Sequence, residues 1–271
     1  MPHSESNERD ATAMTGKIKV ATRGKVRVIT LNRPEVRNAF DEELLEALAS
    51  AIIDADHDDS VAVIAVTGAG TAFSSGDELR NARERADAGK PFRGPLRSPH
   101  RTICEVVIDA RKPTIAVVNG PAIAGGFELA LACDMMIVAE TAFFGLPEAK
   151  RGRGAHFASV ALPQMIPPRI AMEWLLTGRR IEVAELERWG LVNRVVVTTS
   201  LMDEAMTFLD DVVSSAPLSL QRLKLSYRKT QGMPLAAGIR FDTGPDVYAS
   251  EDQKEGARAY VEKRPPVWRG K

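Results

Sequence analysis

Hydrophobic and polar positions fall into two regimes along the chain. "KVRVITLN" (25–32) alternates apolar with polar residues and is rich in Val and Ile, which predicts a strand. "DEELLEALASAIIDAD" (41–56) follows, with Asp41 as a plausible N-cap and Leu44, Leu45, Leu48, Ala51 and Ile52 on one helical face. "SVAVIAVTGAG" (60–70) is a continuous apolar run ending in glycines, the pattern of a strand buried on both faces. "KPTIAVVNG" (112–120) repeats that design, and "DMMIVAE" (134–140) is a shorter third example. Helical patterns lie between these runs, at about 101–110 and at 126–132. Strand and helix in alternation predict an α/β layered core.

Beyond about residue 165 the pattern becomes helix after helix. "PRIAMEWLLTG" closes on Gly178 and "EVAELERWG" on Gly190, as helices with a glycine just past their C-terminus do. "LMDEAMTFLDDVVSSAP", "LSLQRLKLSYRKT" and "SEDQKEGARAYVEKR" follow. A boundary near 197–200 divides an α/β core (17–198) from an α-helical C-terminal region (199–271). The first sixteen residues, "MPHSESNERDATAMTG", are polar and lack the apolar centre of a signal peptide, so a disordered leader is expected. The stretch 80–101 carries seven basic and two acidic residues among its prolines and glycines, and reads as a surface loop or short helix.

Composition narrows the function classes. Of 271 residues, 44% are hydrophobic and 27% charged, which fits a folded globular chain. Lys and Arg total 36 and Asp and Glu total 36, so the basic excess of a nucleic-acid binder is missing. No apolar run approaches the length of a membrane span. Cys104 and Cys133 have no metal-ligand spacing and read as reduced, packed residues of a cytoplasmic protein.

Candidate chemistry sits at two glycine turns that follow apolar strands, "VTGAGTAFSSGDEL" (66–79) and "VNGPAIAGGFEL" (118–129). A strand that runs through such a turn into a helix leaves backbone N–H groups without internal acceptors. Two such amides, one from each turn, can converge on one oxygen as an oxyanion hole. The alternative is that the glycines merely shape tight turns. Gly125 and Gly126 also permit close approach of a ligand to the backbone. Glu128 lies inside the apolar run after the second turn, where an unpaired carboxylate is expensive. Glu148 appears in "FFGLPEAKRG", again straight after apolar residues. Taken alone, Glu128 can be a helix-dipole carboxylate and Glu148 a capping acid after Pro147.

In order, these segments resemble the enoyl-CoA hydratase/isomerase (crotonase) family over nearly the whole chain from about residue 17. "LNRPEVRNAFD" is similar to its opening, CoA-contacting motif, and "FSSGDEL" to its first oxyanion turn. "VNGPAIAGGFELALACD" is similar to its second turn and helix, and "FGLPEAKRG" to the segment of its second acid. The tail "SEDQKEGARAYVEKRPPVW" resembles its terminal helix and extension. Within the family the look is of enoyl-CoA hydratase and carnitinyl-CoA dehydratase-like members.

The resemblance implies a crotonase-like spiral of ββα units with a helical oligomerisation region, a homotrimer or hexamer, and an acyl-CoA thioester substrate. It implies no cofactor beyond the coenzyme A of the substrate, no metal, no nucleic-acid partner and no membrane association. The oxyanion amides match Asp77, after Gly76, and Gly125. Arg37 and Ala39 match positions lining the CoA nucleotide site, Ser75 and Leu79 the pantetheine channel, and Lys263 a contact to CoA from the tail, on its own or a neighbouring subunit. Glu128 and Glu148 match the two glutamates that hold a water over the alkene: Glu128 chiefly activating water, Glu148 chiefly delivering a proton to Cα.

One segment departs from the family pattern. "RGRGAHFASVALP" (151–163) replaces a stretch resembling G-x-x-P-x-x-G-G and is one residue shorter. Arg153 and His156 enter there. They can pair with Glu148, recognise a polar acyl group, or sit in a solvated loop. The chemistry can accordingly be hydration, double-bond isomerisation or another enolate reaction, or acyl-CoA binding without turnover. The remaining candidates read as structural. His57 lies in the polar turn "DADHDDS", whose Asp54, Asp56, Asp58 and Asp59 lack the glycine and terminal glutamate of a calcium loop. Trp174 and Trp189 lie on apolar helix faces.

Overall fold

The computed structural model describes residues 13–78, 87–89 and 101–271. Its main sheet begins with the antiparallel strands β1 (Ala13–Thr15), β2 (Ile18–Arg23) and β3 (Val26–Leu31). The end of the expected leader is therefore sheet edge, since Ala13–Thr15 pair with Ile18–Val20 across a tight turn. From β3 the sheet continues in parallel through β4 (Val63–Gly68), β5 (Thr114–Val118), β7 (Met135–Ala139) and β10 (Arg194–Val196). A second sheet pairs β6 (Ala122–Ile123), β8 (Phe143–Gly145) and β9 (Arg180–Glu182).

The continuous apolar runs are explained by cover on both faces of the main sheet. In β5, Ala116 and Val118 join one core cluster while Ile115 and Val117 join the other. On the first face lie α1 (Glu42–His57), α2 (Ile103–Asp109) and α3 (Gly125–Ala132), through Leu44, Leu48, Ile52, Val107, Phe127 and Leu129. Asp41 caps α1 as expected, its carboxylate accepting from the Leu44 N–H at 2.8 Å.

The segment predicted as helix after helix contains α4 (Ala158–Met165), α5 (Pro168–Thr177) and α6 (Val183–Arg188), but it also holds β9 and β10. These strands are three residues long, too short for a period to show. Then come α7 (Leu201–Val213), α8 (Pro217–Thr230), α9 (Leu235–Gly238) and α10 (Glu251–Glu262). Leu201, Ala205 and Leu209 of α7 cover the second face of the main sheet, so this helix packs as part of the core.

α8 is fixed to the core by charge. Lys224, 8% exposed, reaches Asp134 at 2.7 Å and the Lys112 carbonyl at 2.9 Å, while Arg228 holds the other Asp134 oxygen at 2.9 Å. Farther on, Leu235, Ile239, Tyr248, Tyr260 and Val261 are exposed. Among the described residues no helix is long and apolar enough to cross a membrane.

Candidate active site

Adjacent parallel strands place the two glycine turns side by side, because β4 and β5 end next to each other. The turns are then zipped together. Phe73 N–H donates to the Pro121 carbonyl at 3.1 Å, and Ile123 N–H to the Ser74 carbonyl at 2.9 Å. Gly126 must be glycine, since a Cβ there would lie 2.5 Å from the Ser74 carbonyl oxygen.

The first turn hangs from two buried polar residues that the sequence reading did not single out. Asn38 has φ 54° and donates from Nδ2 to the Ala69 and Ala72 carbonyls at 2.9 and 2.8 Å. Ser74 Oγ donates to the Asn38 carbonyl at 2.8 Å and accepts from the Gly76 N–H at 3.1 Å. The available signal was Asn38 itself, one of the few residue types that takes positive φ readily.

Asp77 is held by a parallel bridge to Phe40 that uses the Gly76 carbonyl and the Glu78 N–H. Its own N–H stays outside that pairing. Gly125 opens α3, so its N–H precedes the first intrahelical bond, which Glu128 makes to Ala124. Neither amide has an acceptor among the described residues. Ala124, with φ 53° and ψ −127°, turns the backbone between them and holds a strained conformation for a residue with a Cβ.

Glu128 projects from the first turn of α3 onto the N-terminus of α4. Its Oε1 accepts from the Phe157 and Ala158 N–H groups, both at 2.9 Å. Burial pushes its pKa up; the two amides and His156 pull it back, and Asp77 pushes it up again. Segment 151–163 thus supplies the donors that fix this carboxylate.

Glu148 follows β8 and is 9% exposed. It occupies the N-cap position of a short turn over Ala149–Arg151, but its side chain makes no capping bond. Its Oε2 is buried and has no hydrogen-bond partner. Its pKa is pushed up to about 7, chiefly by burial; its own backbone N–H opposes this, and the charges of Glu128 and Asp77 reinforce it. One carboxylate is therefore held by two backbone donors, while the other keeps a buried oxygen without a partner and has its pKa pushed up to about 7.

Of the alternatives open to Arg153, pairing with Glu148 is not the one adopted: it pairs with Asp77. Its Nη2 donates to Asp77 Oδ2 at 2.5 Å, and it lowers the Glu148 pKa only as the last of several influences. The reason is geometric: both Arg153 and the acid of the first turn are partly exposed, while Glu148 is buried. His156 is exposed and acts electrostatically on Glu128.

Beside the turns lies a cavity of about 360 Å³, lined by Arg37, Thr71, Ala72, Ser75, Pro121, Ile123 and Phe143. Arg37 and Ser75, both expected to contact CoA, share it. Ala39 does not line it: its side chain is 6% exposed and its carbonyl accepts from Arg33 at 2.8 Å. Gly76 and Gly126 lie in the turns themselves. Leu79 falls outside the described residues, as does most of the basic stretch 80–101. Lys263 caps the C-terminus of α10 with φ 54° and is exposed, apart from this cavity. A second cavity, of about 440 Å³, is lined by charged residues of α10 and the tail and contains none of the site residues.

Elsewhere the singled-out residues make structural contacts. Cys104 and Cys133 are free and buried, and Trp174 is core. Asp56 pairs with Arg111 at 3.0 Å and Asp58 with Arg27 at 2.7 Å. Among the described residues no group of three acids, histidines or cysteines is arranged to hold a metal ion.

Comparison with known proteins gives the family of the chain. The family model described as enoyl-CoA hydratase/isomerase matches residues 21–271. A carnitinyl-CoA dehydratase of Salmonella paratyphi A is 41% identical over 266 residues, which span 95% of this chain and all of the relative. Among solved structures, an enoyl-CoA hydratase of Mycobacterium tuberculosis superposes with TM-score 0.84 at 32% identity, covering 95% of this chain and 100% of that one. An enoyl-CoA hydratase subunit of Geobacillus kaustophilus gives TM-score 0.82 at 34% identity, with 94% and 98% covered.

Proposed function

The chain belongs to the enoyl-CoA hydratase/isomerase family, and we propose that it adds water across the α,β double bond of a 2-enoyl-CoA thioester or, in reverse, dehydrates a 3-hydroxyacyl-CoA. The observation that carries this reading is the juxtaposition of two free amides with two carboxylates in unlike environments.

In hydration, the thioester oxygen accepts from the Asp77 and Gly125 N–H groups. Negative charge gathers on that oxygen as hydroxide adds to Cβ, so donors fixed in advance stabilise the transition state by roughly several kcal/mol. Glu128, oriented by the Phe157 and Ala158 amides, removes a proton from water. Protonated Glu148 delivers its proton to Cα. Atoms balance as one water added per alkene, with no redox change and no cofactor beyond the CoA of the substrate. Dehydration runs the same steps backwards, with the two glutamates exchanging protonation states.

CoA enters along the cavity of Arg37 and Ser75. A protein that only stored acyl-CoA would gain nothing from a buried Glu148 whose Oε2 has no partner, which is expensive to keep. The 41% identical relatives named carnitinyl-CoA dehydratase support the dehydration direction as the working one. The exposed apolar side chains of α9 and α10 support self-association as a trimer or hexamer. The free, buried cysteines fit a reducing cytoplasm.

The direct test is loss of the conjugated enoyl-thioester absorbance when crotonyl-CoA meets the purified protein, with product mass. A gain of one water supports the reading; a bound but unchanged thioester contradicts it for this acyl group, and longer and polar enoyl-CoAs then decide it generally.

A further inference from the structure

The first oxyanion amide belongs to a residue with an acidic side chain. A carboxylate beside a site where negative charge must develop opposes that charge. Asp77 is 46% exposed at its side chain, yet it does not turn fully away: its Oδ1 lies 3.7 Å from where a Cβ on Gly125 would begin. Both oxyanion amides therefore sit close to this carboxylate. Its other oxygen, Oδ2, is met at 2.5 Å by Arg153 Nη2. Arg153 comes from the loop between Glu148 and α4.

We propose that Arg153 is a positioning residue of the reaction, acting through Asp77: its guanidinium neutralises the carboxylate beside the oxyanion hole and ties the 151–157 loop to the first turn. The inference rests on the hydratase/dehydratase reading of the same site. An exposed ion pair contributes little to stability, so a stabilising role alone would leave the pair without much purpose. Its effect is local and electrostatic. Among the described residues Arg153 is the cation that meets the Asp77 carboxylate, so its removal strips that neutralisation from beside the hole and from beside Glu148. Among the described residues the charged groups that act most on Glu148 are Glu128, Asp77 and Arg153, and those that act most on Glu128 are His156 and Asp77. Removal of Arg153 takes away a cation from this set and leaves an acid unneutralised, so Glu148 holds its proton to higher pH.

The experiment compares the wild-type protein with Arg153→Met, Arg153→Lys and the double variant Asp77→Asn/Arg153→Met, using crotonyl-CoA hydration across pH. Arg153→Met is expected to lower kcat roughly 10- to 100-fold, with KM changed less than about 3-fold, and to move the basic limb of the profile to higher pH. Arg153→Lys keeps the charge and is expected to recover most of the loss. Asp77→Asn in the Arg153→Met background removes the charge that needed neutralising and is expected to recover it too. A kcat and basic limb unchanged in Arg153→Met would overturn the proposal, as would a double variant as slow as Arg153→Met.

A second readout separates this inference from the activity it rests on. An aryl-conjugated enoyl-CoA such as cinnamoyl-CoA shifts its absorbance to the red when its thioester oxygen is polarised. If the wild type binds this probe with a red shift but hydrates nothing, the hydratase reading fails. The inference then stands or falls on whether Arg153→Met diminishes the shift and the double variant restores it. A wild type that neither binds nor polarises the probe overturns both.

Discussion

Gly76 faces Gly125 so closely that a Cβ on Gly76 would lie 2.9 Å from the Gly125 nitrogen. In the proposed mechanism the residue after one glycine and the amide of the other are the two donors of the hole, so this contact would set their separation. Gly76 also holds φ 76°, which an L side chain rarely adopts.

Gly76→Ala is accordingly expected to spread the two turns and lower kcat by about 10²- to 10³-fold, the scale of losing one oxyanion donor. Steady-state hydration of crotonyl-CoA, with circular dichroism to confirm the fold, measures it. An activity within a few-fold of wild type would remove these amides from the mechanism.

If Glu148 delivers the proton as proposed, it should give the reaction a pH limb. Its pKa is pushed up to about 7, chiefly by burial. The protonated form delivers the proton in hydration, so kcat/KM for hydration should fall as pH rises through about 7. In dehydration the ionised form accepts the Cα proton, so the same group should produce a fall as pH drops through that value. Glu148→Gln should abolish this limb and lower kcat by roughly 10²- to 10⁴-fold.

The same shift predicts a stability effect of known sign. A carboxyl whose folded pKa lies above its unfolded value binds protons more tightly when folded. Its contribution is fully present below about 4.5 and is lost as pH rises through about 7. Glu148→Gln should therefore melt higher than wild type at pH 8, by roughly a few degrees, and differ less at pH 4.5. Thermal melts at the two pH values decide it, and an equal difference at both would contradict the buried, unpaired carboxylate.

Lys224 tests how the helical C-terminal region is held. Lys224→Ala leaves a buried space and removes one of two cations from Asp134, so a loss of about 2–3 kcal/mol is expected, less than for a wholly unpaired buried acid because Arg228 remains. Urea unfolding measures it. No destabilisation would mean that α8 is fixed by other contacts.

Much of this was legible along the chain. The strands that became β3, β4, β5 and β7 showed their periods because each is long enough and buried on one or both faces. Asp41 announced α1, and the order of glycine turns and glutamates announced the site. What stayed hidden was either too short or too far apart. β6 and β9 are two and three residues long and owe their conformation to pairing with β8. The union of Asp77 with Arg153 spans 76 residues, and that of Glu128 with Ala158 spans 30. No local pattern encodes such meetings; they follow from which turns the parallel strands bring together.

The central claim is that Glu128 activates a water that ends on the substrate. Crotonyl-CoA incubated in ¹⁸O-labelled water, with product analysis by mass spectrometry, tests it for wild type and Glu128→Gln side by side. The account predicts a wild-type product carrying one labelled oxygen at Cβ, and a variant that still binds the thioester but incorporates label at least roughly 10²-fold more slowly. A variant that matched the wild-type rate, or a wild-type product with a moved double bond and no label, would contradict it.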